Sequence, residues 1–378
     1  MFDYEILRLI WWAILGVLLM GFAITDGFDM GAMFLMPLIG RSDAERRIII
    51  NTVGPVWEGN QVWLILGGGA IFAAWPYLYA VAFSGFYLAM FVVLCSLILR
   101  PVGFKFRSKM PGSSWRTIWD WCLFIGGTVP PVIFGVAFGN ALQGVPFVFD
   151  ETLRMTYQGT LFGLLNPFAL LCGAISLGMF VAQGASWLAV KIEGVVERRA
   201  RMASVISIIV VLVLFAIGGF WAAQGIEGYR FISVVNPNGP SNPMLKEVTR
   251  MAGVWMDNYG RLPASMLVPA LAFLGGAMAL MGVAVRKPLM SFIGTSLLQI
   301  GVIGTAGVSM FPFLLPSSAD PNASLTVWDA SSSRNTLITM TIVTVVFLPV
   351  VLVYTSWVYY VLRGKVTTEL VKQNDNSY

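Results

Sequence analysis

The feature that most constrains this sequence is a series of long apolar segments separated by shorter polar connections. Nine segments are long enough for a helix to cross a bilayer, near 8–39, 48–75, 78–100, 117–142, 160–190, 203–226, 262–285, 288–313 and 336–362. A hydrocarbon core of about 30 Å requires about 20 apolar residues per helical crossing. Unpaired backbone groups are costly in lipid, and the sequence lacks the alternating pattern typical of a β-barrel. We therefore expect an all-α integral membrane protein with nine transmembrane helices.

The composition excludes several classes of protein. Hydrophobic residues make up 57% of the chain, charged residues only 11%, and the mean hydropathy is +0.77. A soluble domain has about a quarter charged residues, so this chain has too few to cover a soluble globule of its size. The composition argues against a soluble enzyme and a nucleic-acid-binding protein, and it makes the lipid bilayer the expected surroundings.

The distribution of basic residues predicts the orientation in the membrane. Most of the 24 Lys and Arg residues lie in connections after odd-numbered segments and in the C-terminal tail, which includes Lys372. Cytoplasmic connections are enriched in Lys and Arg. We therefore expect a periplasmic N-terminus and a cytoplasmic C-terminus, and an even number of helices would spoil this partition.

Two aspartates in the first apolar segment stand out. Asp26 and Asp29 are three residues apart and share a helix face. A charge at bilayer depth costs about 2.5–3.5 kcal/mol on insertion scales, so each needs a partner or a use. They either pair with basic residues and hold helices together, or they belong to a functional polar cluster. Gly27 and Gly31 have the spacing that allows close approach of another helix.

The second segment carries its own polar residues. Asn51, Glu58 and Gln61 are seven and three residues apart, which predicts one polar stripe, and Pro55 is expected to kink the helix just before Glu58. An acid in such a place suits a proton-relay step. The alternative is an acid that only forms hydrogen bonds with a neighbouring helix.

Two further charged residues, Arg100 and Asp120, lie at the cytoplasmic ends of the third and fourth segments. They are expected to pair with each other or with Asp26 and Asp29, and a salt bridge at the membrane edge is the simpler interpretation. The chain has no histidine, and its three cysteines form no C-x-x-C motif. We therefore predict no metal ligand and no catalytic residue in this chain.

Taken together, these motifs resemble the second subunit of bacterial cytochrome bd quinol oxidases. The clearest strings are Thr-Asp-Gly-Phe-Asp-Met-Gly at 25–31 and Trp-Glu-Gly-Asn-Gln at 57–61. Further matching strings lie at 10–12, 45–48, 72–76, 82–87, 100–104, 138–140, 144–147, 311–313, 316–318 and 324–330. The stretch at 238–243 is most similar to the bd-II type.

The resemblance implies an architecture and an activity. It implies two four-helix bundles, at 1–142 and 143–313, followed by an outer loop, a ninth peripheral helix and a tail at 314–378. The family oxidises ubiquinol or menaquinol and reduces O2 to water. The resemblance implies that a similarly built subunit I ligates two b-type haems and one d-type haem. Some members hold a structural quinone in subunit II, and some complexes contain small single-helix accessory subunits.

The resemblance also implies roles for residues. It assigns Glu58, where the family commonly has Asp, to a proton path at the subunit interface. The polar stripe of the second segment adds Gln61 and Asn51 to this expected path. It places Trp63 at the mouth of an oxygen route, and Asp29, Arg100 and Asp120 in a polar cluster with Asp26. A secondary transporter or exporter is the alternative function, because broken helices and acids near the bilayer midplane suit transport as well.

Overall fold

The computed structural model describes residues 3–367, 369 and 371, so Lys372 lies outside the described residues. Twelve α-helices are present in the described part: α1 Tyr4–Ile39, α2 Asp43–Val53, α3 Trp57–Ala74, α4 Pro76–Gly85, α5 Tyr87–Phe106, α6 Ser113–Gln143, α7 Pro167–Lys191, α8 Val195–Gln224, α9 Asp257–Arg261, α10 Leu267–Ala284, α11 Pro288–Met310 and α12 Arg334–Val361. The all-α prediction is confirmed.

The second and third apolar segments are each built from two helices. The second is divided between α2 and α3 by a turn at 54–56, which contains Pro55. The third is divided between α4 and α5 at Phe86, and Trp75 separates α3 from α4. Proline removes a backbone donor and clashes with the preceding turn, so the predicted break at Pro55 is confirmed.

Eight described helices are long and apolar enough to cross a membrane: α1, α5, α6, α7, α8, α11, α12 and the segment at 263–284 that contains α10. The remaining expected span corresponds to α3. That helix has only 18 residues and begins with Trp57, Glu58 and Asn60, so its first turns are polar. Nine crossings therefore remain a prediction.

Helix α1 lies at the centre of the helical packing, in contact with α3, α6, α7 and α11. Small residues permit this packing, because a Cβ atom on Gly31 would lie 1.9 Å from the carbonyl oxygen of Phe180 in α7. A Cβ atom on Gly184 of α7 would likewise lie 2.4 Å from the backbone nitrogen of Ala32 in α1. The close approach predicted from Gly27 and Gly31 is thus present. Helix α1 contacts helices of both expected bundles. These contacts do not show a boundary between the bundles, so their expected division at residue 142 remains a prediction.

The connections at one end of the bundle form three small antiparallel hairpins. Strands β1 Phe147–Phe149 and β2 Met155–Tyr157 pair, as do β3 Glu227–Phe231 with β4 Val248–Ala252 and β5 Phe313–Leu315 with β6 Leu325–Thr326. We call this the loop end. The opposite end, where α1 finishes at Ile39, carries Arg46, Arg107, Arg116 and Arg199, and we call it the basic end.

Candidate functional site

A buried ion pair joins the first and third apolar segments. The guanidinium of Arg100 in α5 donates to both carboxylate oxygens of Asp26 in α1, and its Nη1 lies 3.1 Å from Oδ2. The two side chains are only 1% and 0% exposed. Of the partners considered for Arg100, the structure selects Asp26. This bidentate geometry is the strongest form of an arginine–carboxylate interaction.

The second aspartate of α1 belongs to a hydrogen-bonded chain across three helices. Asn60 of α3 donates from Nδ2 to Asp29 Oδ2 at 2.9 Å. The hydroxyl of Tyr359 in α12 donates to Asn60 Oδ1 at 2.5 Å. Asp29 is fully buried, and its Oδ1 has no hydrogen-bond donor among the described residues. Asp26 lies three residues before Asp29 on the same face of α1, so the two carboxyl groups are neighbours on that helix.

Asp120 lies in a different network, at the basic end. Arg107 donates to Asp120 with a shortest contact of 2.5 Å, and Arg46 Nη1 lies 2.8 Å from its Oδ2. Arg107 also bridges to Asp43, which pairs with Arg116 at 2.8 Å. Two pairings were considered for Arg100 and Asp120, either with each other or with the aspartates of α1. The structure has the second pairing for Arg100, and Asp120 pairs instead with two other arginines. The reason is geometric: α5 carries a second arginine at its end, and that residue reaches Asp120.

The deep cluster, which we define as Asp26, Asp29, Asn60 and Arg100, lies well inside the bundle. Asp29 precedes the end of α1 by ten residues, which corresponds to about 15 Å along a helix. The deep cluster therefore has two carboxyl groups and one guanidinium at membrane depth.

The proposed proton-path residues do not form one stripe. Asn51 is buried in α2 and donates to the carbonyl oxygen of Arg47 at 2.8 Å, whereas Glu58 is exposed on α3 and Gln61 is partly buried. The break around Pro55 ends the regular helical rotation between residues 51 and 58, so a seven-residue spacing does not place them on one face. Glu58 and Gln61 remain one turn apart on α3.

Trp63 packs on α1 beside an apolar cavity that is partly open to the surface of the chain. A Cβ on Gly21 would lie 2.8 Å from the indole ring of Trp63, so the ring lies directly against the α1 backbone. The next residue, Leu64, lines a cavity of about 260 Å³. Other lining residues are Phe22, Phe134, Cys172, Phe180 and Trp255.

Sequence reasoning missed several members of these networks. Asn60 was recognised only as part of a motif, and no contact of Tyr359 was predicted. Asn60 lies two residues after Glu58, so the two side chains point to different faces of α3. That spacing was the sequence signal that Asn60 contacts a different neighbour. Tyr359 and Asn60 are 299 residues apart, so no local pattern indicates their contact.

Comparison with known proteins agrees with the sequence motifs. The family model described as cytochrome bd terminal oxidase subunit II matches residues 7–362. Cytochrome bd-I ubiquinol oxidase subunit 2 of Escherichia coli (strain K12) is 50% identical over 377 residues, with 100% of each chain covered. A probable cytochrome oxidase subunit 2 of Haemophilus influenzae is 50% identical over 380 residues, also with 100% of each chain covered.

The fold also matches a solved bd oxidase structure, from Geobacillus thermodenitrificans. The TM-score is 0.63, with 15% sequence identity, and the match covers 94% of this chain and 98% of that chain. At this identity the likeness supports the fold, while the family match and the full-length relatives establish the relationship. The chain belongs to the subunit II family of cytochrome bd terminal oxidases, and it is a component of a respiratory quinol:oxygen oxidoreductase.

Proposed function

We propose that this chain carries protons from the cytoplasm through Glu58 to a haem-bearing subunit I, and that it ligates no haem itself. Membership of the family implies a partner subunit I, haem cofactors, and quinol and O2 as substrates. The observation that carries the proposal is an acid, Glu58, exposed on α3 at the depth of the deep cluster. It has no hydrogen-bond or ion-pair partner within the described part of the chain.

The depth of Glu58 follows from its neighbours. It lies two residues before Asn60, which contacts Asp29 of α1. An unpaired acid facing lipid at this depth would cost about 2.5–3.5 kcal/mol. The next exposed positions along α3 are apolar and include Val62, one turn further, and Ile65, two turns further. Apolar residues can face lipid or protein, but the acid needs protein or water, so this face is the proposed contact with subunit I.

The proposed division of labour follows from the residue types available. Histidine is the commonest haem ligand, and this chain has none. We therefore assign both b-type haems and the d-type haem to subunit I. Small single-helix accessory subunits complete the proposed assembly.

The proposed orientation has the basic end on the cytoplasmic side of the bacterial inner membrane. Arg46, Arg107, Arg116 and Arg199 lie together there, and basic residues favour the cytoplasmic side. The N-terminus of α1 is then periplasmic. Asn51 and Gln61 lie on either side of the Pro55 break, on the proposed route from the basic end to Glu58.

The apolar cavity is the proposed site of a structural quinone. Its lining is almost wholly apolar, which suits an isoprenoid-bearing ring more than a charged ligand. Oxygen is also apolar and concentrates in lipid, and Trp63 lies beside this region on α3. We therefore keep Trp63 as the proposed entrance of an oxygen route.

Substitution of Glu58 tests the proton path. Glu58→Gln removes the titratable proton with little change of shape, so oxygen consumption should fall by at least about tenfold. Glu58→Asp should keep most of the turnover, because the carboxyl is retained. Haem spectra and co-purification with subunit I should be unchanged, and Glu247→Gln, an exposed acid at the loop end, is the matched control. Normal oxygen consumption by Glu58→Gln with intact haem spectra would refute the proposal.

The quinone site has a separate test. Gly219 of α8 lines the cavity, and a Cβ there meets no atom within 4 Å. Gly219→Phe should fill the mouth of the cavity and reduce the quinone extracted from the purified complex. Ile217→Phe, at an exposed position of the same helix, is the control. Equal quinone content in both variants would contradict the assignment.

A further inference from the structure

The peripheral helix α12 makes a polar contact with the interior of the protein. Leu337 is its single buried residue, and the middle of the helix exposes a continuous apolar surface. Tyr359 near its C-terminal end is different. Its ring lies edge-on to Trp187 at 6.0 Å and to Phe28 at 6.5 Å, and its hydroxyl reaches Asn60. A helix that only faced lipid would not need this hydrogen bond to an interior side chain.

The hydrogen bond from Tyr359 fixes which way the Asn60 amide faces. A phenol hydroxyl that donates to Asn60 must meet the amide oxygen, so the NH2 group points the other way. That NH2 group donates to Asp29 Oδ2. The orientation of Asp29 is therefore set through Asn60, by a residue on a helix that has no charge of its own in the deep cluster.

The remaining oxygen of Asp29 has no hydrogen-bond donor among the described residues. The nearest acid in the sequence of α1 is Asp26, which lies three residues earlier and on the same helix face. Asp26 is already engaged by both nitrogens of Arg100. Two carboxyl groups can form a hydrogen bond only when one of them carries a proton. One protonated carboxyl also balances the charge, since the other pairs with Arg100.

We infer that Tyr359 is a positioning residue, which acts through Asn60 to hold Asp29 as the protonated member of the Asp26–Asp29 pair. The charged or titratable groups around Asp29 in the described structure are Asp26, Arg100 and Tyr359. The effect of this pair on turnover rests on the proposed proton path. The protonation and orientation of Asp29 do not depend on that path and are measured separately.

Infrared spectroscopy of the purified complex tests the orientation of Asp29. The carbonyl-stretch region of protonated carboxylic acids should contain a band that is lost in Asp29→Asn. Tyr359→Phe removes only the hydroxyl, so the band should persist but shift, because Asn60 is free to rotate. Tyr354→Phe makes the same chemical change at an exposed position of α12 and should leave the band unchanged. If Asp29→Asn does not assemble, isotope-labelled aspartate carboxyls identify the band in the wild type and in Tyr359→Phe.

A double-mutant cycle tests whether Tyr359 acts through Asp29. Tyr359→Phe should lower oxygen consumption by about two- to tenfold, the factor that corresponds to one hydrogen bond, and should change its pH profile. In an Asp29→Asn background the same change should have no further effect. A Tyr359→Phe complex with the band and pH profile of Tyr354→Phe would overturn the inference, as would an undiminished effect in the Asp29→Asn background. A shifted band together with normal turnover of Glu58→Gln would refute the proton path and leave the positioning role intact.

Discussion

Removal of Arg100 should destabilise this protein much more than removal of an exposed arginine with the same kind of partner. Arg100 and Asp26 are 1% and 0% exposed, whereas Arg230 and Asp257 at the loop end are 43% and 29% exposed. In each pair, two guanidinium nitrogens contact the carboxylate. The two arginine–aspartate pairs therefore differ mainly in how deeply they are buried.

The magnitude follows from what each substitution leaves behind. Arg100→Ala leaves Asp26 beside Asp29, two buried carboxyls with no guanidinium, and breaking a buried pair in this way costs about 3–5 kcal/mol. Arg230→Ala leaves Asp257 close to water, and an exposed pair contributes about 0–1 kcal/mol. We expect a difference of at least about 2 kcal/mol between the two variants. Arg100→Lys should fall between them, because it keeps the charge but loses the bidentate contact.

Denaturant titration of the purified complex in detergent micelles, followed by tryptophan fluorescence, measures the unfolding free energy. Haem retention in the same samples shows whether the partner interface fails with the fold. Equal destabilisation by Arg100→Ala and Arg230→Ala would refute the argument. That result would mean that water reaches Asp26 or that the pair contributes no more than a surface pair.

Three further predictions concern packing, the deep cluster and the loop end. Gly31→Ala should cost several kcal/mol, because its Cβ would lie 1.9 Å from a carbonyl oxygen of α7, whereas Gly68→Ala, with no atom within 4 Å, should be almost neutral in the same denaturant titration. Asp29→Ala should reduce the yield of assembled complex at least as much as it reduces turnover. Asp29→Asn should assemble, since an amide keeps the shape of the side chain. A fully assembled but inactive Asp29→Ala complex would contradict this prediction. Burial raises the pKa of Asp329 and lowers that of its partner Lys246. Lys246→Met should therefore destabilise the loop end. The destabilisation should be smaller in acid, where Asp329 is protonated, and larger as the pH rises through the raised pKa of Asp329. A decrease in thermal stability that does not depend on pH would disprove this prediction.

Features with a strong local signal could be predicted from the sequence. The apolar segments give the helices, because only a helix satisfies the backbone in lipid. Pro55 gives the break between α2 and α3, since proline disturbs the turn that precedes it. Asp26 and Asp29 were recognised as requiring partners because a charge at bilayer depth is costly.

Features that depend on long-range contacts could not be predicted. The choice of Arg100 rather than another base for Asp26 depends on how α5 packs against α1. The contact between Tyr359 and Asn60 joins residues that are 299 positions apart. The hairpin of β3 and β4 was also missed, because its two strands are short and a turn-rich stretch separates them. In each case the decisive partner lies outside any local window of sequence.

The two charged networks differ in a way that argues for a proton-handling role of the deeper one. At the basic end, Asp43 and Asp120 are each contacted by two arginines, so both of these carboxylates are matched by cations. A network that only holds helices together needs this balance. The deep cluster has one guanidinium for two carboxyl groups, and Asp29 Oδ1 has no donor among the described residues. An unbalanced charge at that depth is costly, and the proton that we infer on Asp29 would remove it. On that inference, the deeper network is the one of the two in which a carboxyl group can take up or release a proton.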